Sequence, residues 1–284
     1  MKFIHTFWSK PLFNNKFDKF NNSLINILLD YACSASFIHK YGEKIVLYTD
    51  NQGARLLSHI PYDKVYIIDG LDNESIHFAA QIKFEALKRC DLGDVIIDGD
   101  LFLRKKEAID YIKNITEDVS YSFYEPYKYV LKDERSLDIM DNLIHDMNCV
   151  KYKKPYKLPT SIREFAYTNT SLMKFNNKNI RDKYIKQYYY HKDQLKDCKF
   201  TSWPDIIIEQ RFLTILIEES GCTHKPVIDK YYIDPEANNR AIELGFTHLG
   251  SNKSQYIKWV TEMLKENDEQ LYNYTLIQIK INKK

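Results

Sequence analysis

The chain has 284 residues, with 41 lysines and arginines against 39 aspartates and glutamates, for a formal net charge of +2. Hydrophobic residues make up 44% and charged residues 28%, the balance of an ordinary globular chain long enough to bury a sizeable core. The near cancellation of charge and the shortness of the basic clusters, such as Arg104-Lys105-Lys106, argue against a dedicated nucleic-acid binder.

In chain order, Phe3 to Trp8 reads as a strand and Phe17 to His39 as a long, largely apolar helix. Lys44 to Asp50 is a continuous apolar run that ends in polar residues, as in a strand buried on both faces. A short helix is expected over Gln52 to Ser58, a strand over Lys64 to Asp69, a helix over Ile76 to Arg89 and a strand over Asp94 to Asp98. The second half is less regular. Strands are expected over Ser120 to Tyr127 and Phe165 to Phe175, with a helix and a Lys/Pro/Tyr-rich loop over 132–160 between them. Helices follow at Asn179 to His191 and Ile206 to Glu219, short strands at Lys225 to Ile233 and Thr247 to Leu249, a helix at Gln255 to Glu266 and a last strand over Tyr272 to Ile281.

Strands alternating with helices predict an α/β fold, a mixed and mostly parallel sheet flanked by helices, with a Rossmann-like N-terminal half. One domain is expected over residues 1–284. Ligands of such sheets bind beyond the carboxyl ends of the strands. That is where Thr49-Asp50, Asp69-Gly70 and Asp98-Gly99-Asp100 fall.

Asp98-Gly99-Asp100 is the strongest chemical signal. A buried strand delivers two carboxylates separated by a glycine, which lets the chain turn tightly without a Cβ clash. Both oxygen donors can then approach one hard divalent cation, Mn²⁺ or Mg²⁺. Asp-Gly is also a common turn pair, but the apolar β-formers Val95, Ile96 and Ile97 directly before Asp98 favour the metal reading. A haloacid-dehalogenase-type phosphatase would carry its aspartate on the first strand, followed by Gly-Thr, and here Leu101-Phe102 follows. A second cluster, His248-Leu249-Gly250 with Lys253, offers an imidazole for the cation, a flexible backbone and a mobile ammonium for a phosphate.

Together these residues resemble the GT-A glycosyltransferases, especially the retaining group related to glycogenin and bacterial galactosyltransferases. The segments that carry the resemblance are Ile4-His5-Thr6-Phe7-Trp8, Asp98-Gly99-Asp100, Asn169-Thr170-Ser171, Glu209-Gln210, and His248-Leu249-Gly250 with Lys253. Asn169-Thr170-Ser171 stands where the family has an Asn-x-Gly-like segment, Glu209 stands for Asp, and the His-to-Gly spacing is one residue shorter.

The resemblance implies a single GT-A-like domain, with a nucleotide-binding half at 1–103 and an acceptor- and sugar-binding half with C-terminal elements at 104–284. It also implies transfer of a sugar from a nucleotide diphosphate-sugar, a UDP-sugar as the expected class, to a glycan, lipid or protein hydroxyl. It implies Asp98, Asp100 and His248 as ligands of Mn²⁺ or Mg²⁺. His5, Thr6, Tyr48, Asp50, Lys83, Asp98, Gly250 and Lys253 would hold the nucleotide and its diphosphate. Asn169, Glu209 and Gln210 would serve the sugar and the chemistry, Gln210 lying close to the reacting carbon of a retaining enzyme. Lys83 reads equally as a solvated helix lysine, and Glu209-Gln210 equally as the polar start of an amphipathic helix.

The alternatives are a nucleotidyltransferase of nucleotide-sugar synthesis and a catalytically inactive nucleotide- or glycan-binding protein. The first would need a glycine-rich loop after the first strand, where Lys10-Pro11-Leu12-Phe13 stands. The chain has neither a glycine-rich phosphate loop nor a Gly-x-Ser-x-Gly elbow. Five scattered cysteines without a Cys-x-x-Cys pair suggest neither a zinc site nor a disulfide framework and fit a reducing compartment. No stretch approaches the about 20 apolar residues of a membrane span, and the N-terminus does not read as a signal peptide. The expected location is cytoplasmic, with no transmembrane segment.

Overall fold

The computed structural model describes residues 1–13, 24–125, 167–195, 206–228, 235–250 and 253–282. The elements in chain order are β1 (Phe3–Phe7), α1 (Lys10–Phe13), α2 (Leu24–Lys40), β2 (Ile45–Thr49), α3 (Asn51–Leu56), β3 (Lys64–Ile67), α4 (Gln81–Arg89), β4 (Val95–Ile97), β5 (Leu101–Leu103) and α5 (Lys106–Lys113). They continue with β6 (Val119–Tyr121), β7 (Tyr124–Glu125), β8 (Tyr167–Thr168), β9 (Leu172–Phe175), α6 (Lys178–Leu195), a π-helical turn (Ile206–Arg211) and α7 (Phe212–Ser220). β10 (His224–Pro226), α8 (Pro235–Leu244), β11 (Phe246–His248), α9 (Ile257–Asn267) and α10 (Glu269–Asn282) complete the described chain.

Seven strands form the central sheet in the order β10-β6-β9-β4-β1-β2-β3. Six run parallel to one another, and β9 is antiparallel to both of its neighbours. The mixed, mostly parallel α/β sheet expected from the alternating pattern is the architecture observed.

The inner strands are apolar throughout because both faces are covered. Along β1, Phe3 and Phe7 enter one core and Ile4 the other, with Trp8 continuing the alternation just past the strand. Ile45 and Leu47 of β2 point to the first core, Val46 and Tyr48 to the second, as the period of two requires. The first core lies under α2, α9 and α10, and the second under α4, α6 and α7.

The expected strand over Tyr272 to Ile281 is a helix, α10. Ile277, Ile279 and Ile281 alternate with Gln278 and Lys280, which imitates a half-buried strand. The buried residues are instead Leu271, Thr275 and Ile279, four apart on one helical face, while Ile277 and Ile281 are exposed. Asp268 starts the helix, its Oδ1 accepting the Leu271 N–H at 2.9 Å. The expected strand over Ser120 to Tyr127 is divided into β6 and β7, and that over Phe165 to Phe175 into β8 and β9. Residues 132–160 and most of the expected strand beyond Pro226 lie outside the described residues.

One buried lysine ties the sheet to a neighbouring helix. Lys174 of β9 is 4% exposed, and its Nζ donates to the carbonyls of Ile112, Lys113 and Ile115 at 3.0, 3.1 and 2.7 Å. These carbonyls belong to the end of α5, where helical partners run out, and an ammonium suits the negative pole of a helix. Lys174→Met keeps the bulk and removes the donor. Urea denaturation should show a loss of roughly 2 kcal/mol or more, the cost of unpairing buried polar groups. An unchanged midpoint would show that the carbonyls find other partners.

Candidate functional site

The site forms at the carboxyl end of β4. The chain leaves that strand at Asp98, turns through Gly99 and Asp100, and re-enters extended structure as β5, which the sequence reading did not anticipate. β5 pairs antiparallel with β11, setting His248 opposite Leu101. The Leu249 N–H donates to the Asp100 carbonyl at 3.2 Å, and the Arg104 N–H donates to the Gly245 carbonyl at 2.8 Å. This short ladder carries His248 across the chain to the two aspartates. Ligand atoms of Asp98, Asp100 and His248 all lie within 4.8 Å of one another. The Asp98 side chain is 29% exposed and that of Asp100 only 6%, so the cluster opens to solvent on the Asp98 side.

Gly99 is required by packing. A Cβ built there would lie 2.2 Å from Cε2 of Tyr31. Tyr31 cannot give way easily: its hydroxyl donates to the Thr6 carbonyl at 2.6 Å, and its ring packs edge-on against His5 and Phe7. The ring wedges the acidic turn from the α2 side. One turn further along α2, Ser34 Oγ donates to the Leu101 carbonyl at 2.7 Å, fixing the start of β5.

Two lysines flank the acids. Lys83 of α4 reaches Asp98 Oδ1 at 2.8 Å, Glu209 Oε1 at 2.7 Å and the Thr170 carbonyl at 3.2 Å. Burial works against its charge, but Asp98 and Glu209 outweigh that and hold Lys83 above the ordinary lysine value. Glu209, on the π-helical turn, also accepts from Thr170 Oγ1 at 2.7 Å, and its carbonyl accepts from Tyr184 at 2.6 Å. Burial pushes the Glu209 carboxyl up, and Lys83 restrains it. On the other side Lys253 Nζ lies 3.0 Å from Asp100 Oδ2, an oxygen also 3.7 Å from His248 Nε2. Burial alone would raise Asp100, but Lys253 and His248 hold its carboxyl below the usual range.

Of the residues read from the sequence, the structure thus gathers Asp98, Asp100, His248, Lys83, Lys253 and Glu209. Gln210 follows Glu209, its carbonyl accepting from Thr168 Oγ1 at 2.9 Å. Asn169 and the two residues after it run beside the turn, since the Asp98 N–H donates to the Ser171 carbonyl at 2.8 Å. Asn169 Oδ1 accepts the Ser171 N–H at 3.0 Å, which shapes that loop. Gly250 takes a φ of 60°, which favours glycine, and a Cβ there would meet nothing within 4 Å among the described residues.

Four others are placed in the supporting frame. His5 is fully buried between Tyr62 and Ser34, and Tyr48 is 1% exposed and stacked on Tyr66 with ring centroids 4.5 Å apart. Neither side chain presents a surface to a ligand. Thr6 is buried as well. Asp50 caps α3 through the Gly53 N–H at 2.8 Å and accepts from Ser9 Oγ at 2.5 Å. These side chains stand on a strand and a strand end that are covered on both faces, so position in the fold does not expose them. The sequence reading passed over Asp30 and Tyr31, which the α2 periodicity presents simply as part of a buried helix.

A family model matches residues 1–279. The chain belongs to DUF6734, a family of unknown function. No curated protein matches this family member in sequence. Among solved structures it is similar to the galactosyltransferase LgtC in complex with donor and acceptor sugar analogues, at 10% identity and a TM-score of 0.47, over 94% of this chain and 96% of that one. It is also similar to the apo bifunctional glycosyltransferase WbbM, at 11% identity and a TM-score of 0.47, over 96% of this chain and 51% of that one. Mouse xyloside xylosyltransferase 1, in its apo form, is similar at 12% identity and a TM-score of 0.31, over 95% of this chain and 82% of that one. No helix among the described residues is long and apolar enough to cross a membrane.

Two measurements check this geometry. Gly99→Ala should destabilise the fold by about 1–3 kcal/mol, the range for overpacking. Adding Tyr31→Ala should recover part of that loss in a double-mutant cycle, and strict additivity would show that the ring is no wedge. Burial pushes the His5 imidazole down to about 3, from the ordinary histidine value of about 6.5. Its folded value lies below its unfolded one, so the unfolded chain binds the proton more tightly and stability is lost as pH falls from 6.5 toward 3. Between pH 6.5 and 4.5, wild type should lose about 2 kcal/mol more than His5→Asn. Parallel pH profiles would place the neutral imidazole elsewhere in the accounting.

Proposed function

We propose that this protein is a metal-dependent glycosyltransferase that moves a sugar from a nucleotide diphosphate-sugar, a UDP-sugar as the expected donor, to a hydroxyl acceptor. The observation that carries the reading is the convergence of Asp98, Asp100 and His248, with ligand atoms within 4.8 Å of one another, at the mouth of the central sheet. Two carboxylates and an imidazole suit Mn²⁺, and the oxygens suit Mg²⁺. When bound there, the cation supplies Lewis-acid neutralisation of a diphosphate leaving group.

The chain's own groups complete the reading. Lys253 is a long, flexible ammonium at the edge of the cluster and suits the non-bridging oxygens of a diphosphate. Gly250, with its open backbone, lets amides approach the same group. Lys83 holds Asp98 and Glu209 in one orientation, so the carboxylate facing solvent is fixed before a ligand arrives. Such preorganisation is what an electrostatic site needs to favour a developing charge. Gln210 and Asn169 are assigned to the sugar. Glu209 is engaged by Lys83 and Thr170, which suits an orienting role for its carboxylate and leaves Gln210 as the group set toward the reacting carbon in a retaining transfer. A nucleotide site at the carboxyl ends of β1, β2 and β4 fits the general placement of ligands in open α/β sheets.

In a thermal-shift comparison of UDP-, GDP- and CDP-sugars, one nucleotide class is expected to stabilise the protein, and to do so only with Mn²⁺ or Mg²⁺ present. Asp100→Ala should fold, lose that metal-dependent increment and lose transfer or donor hydrolysis by at least about a hundredfold. Full activity of Asp100→Ala with metal present, or no response to any nucleotide class, would reject the assignment.

A further inference from the structure

Beside the cluster stands a carboxyl group that the proposed reaction does not use. Asp30 of α2 is 3% exposed, and its buried Oδ2 has no hydrogen-bond partner among the described residues. The following residue is Tyr31, whose ring supports Gly99. The charged groups that act on Asp30 are Lys253 and Asp100. Lys253 in turn feels Asp100, Asp30 and Asp98. Lys253 is hydrogen-bonded to Asp100 at 3.0 Å and lies within electrostatic reach of Asp30 and Asp98.

A buried acid oxygen left unpaired costs stability, and such a group calls for a physical explanation. Without metal, Lys253 neutralises the very oxygen of Asp100 that lies 3.7 Å from His248 Nε2. A divalent cation and an ammonium repel each other on a shared carboxylate. Metal binding at Asp100 therefore requires Lys253 to leave. Its four-carbon stem allows that movement, and a buried ammonium needs a partner wherever it goes.

We infer that Asp30 is a positioning residue, the receiving carboxylate for Lys253 when a divalent cation occupies Asp98, Asp100 and His248. In the metal-free protein Lys253 fills the acidic turn. On metal binding it transfers from Asp100 to Asp30, which was waiting unpaired, and is then held beside the metal site for a phosphate. Burial pushes the Asp30 carboxyl up while the Lys253 charge pulls it down, as befits a group that is fully satisfied only when the ammonium is on it. The inference rests on the metal site of the proposed function.

The test is Mn²⁺ affinity of the full chain without nucleotide, read from the electron paramagnetic resonance of free Mn²⁺. Wild type should bind. Asp30→Asn should bind about tenfold more weakly, the range for outer-shell partners of a metal site. Lys253→Met should bind more tightly, because the competing cation is gone. The double variant should match Lys253→Met, because Asp30 acts through the lysine. An undiminished affinity in Asp30→Asn overturns the inference, as does the same tenfold loss in both backgrounds. Should Asp30→Asn fail to fold by circular dichroism, a weakened affinity in Lys253→Met alone overturns it. Wild type that does not bind Mn²⁺ rejects the metal site itself, and with it the proposed function, whereas a binding wild type with variants that break the pattern rejects only the role of Asp30.

Discussion

The site depends on a three-residue ladder. Pairing of Leu101–Leu103 with Phe246–His248 is what converts an acidic turn into a cluster of two carboxylates and an imidazole. Its register matters more than its length. A slip by one residue would turn every side chain of the short strand to the opposite face and carry His248 away from Asp100. The ladder is pinned from both sides, by Ser34 Oγ on the Leu101 carbonyl and by backbone bonds to Gly245 and Leu249. The turn itself rests on Tyr31, which leaves room for a glycine and nothing larger.

Around that frame the charges are arranged as two partly separate systems. Lys83, Asp98, Glu209 and Thr170 form a buried network in which each charged group has a named partner. Such a network fixes geometry. Asp100, Lys253, His248 and Asp30 form the other, in which one ammonium serves more carboxyl groups than it can touch. That system is under-satisfied as it stands, and it is the one that a divalent cation would complete. That division is consistent with the supporting place proposed for Glu209 and the ligating one proposed for Asp100.

Much of the chemistry was legible in the chain because it is local. Val95 to Asp100 states a buried strand followed by two acids around a glycine, and no distant contact is needed to read it. The pairing of Lys83 with Asp98 and Glu209 was not legible, and neither was the role of α2. Asp30, Tyr31 and Ser34 look like ordinary members of a buried helix, since periodicity tells which face is inward but not what lies against it. His5 and Tyr48 went the other way. The resemblance set them at the nucleotide, yet on strands covered on both faces their side chains are buried.

What the sequence by itself determined is therefore the class of the fold and the position of the acidic motif, because hydrophobic periodicity and a strand-terminal Asp-Gly-Asp act over a few residues. α10 marks the limit of that information: alternating isoleucines imitate a strand, and packing of Leu271, Thr275 and Ile279 against the core selects a helix. The family resemblance had grouped His248 with Asp98 and Asp100. Tertiary structure alone decided that Lys253 pairs with Asp100, that Lys83 joins Asp98 to Glu209, and that Asp30 is buried nearby with its Oδ2 unpartnered among the described residues. Those juxtapositions depend on strand register and helix packing between segments far apart in the chain, and a spacing along the sequence carries no record of them.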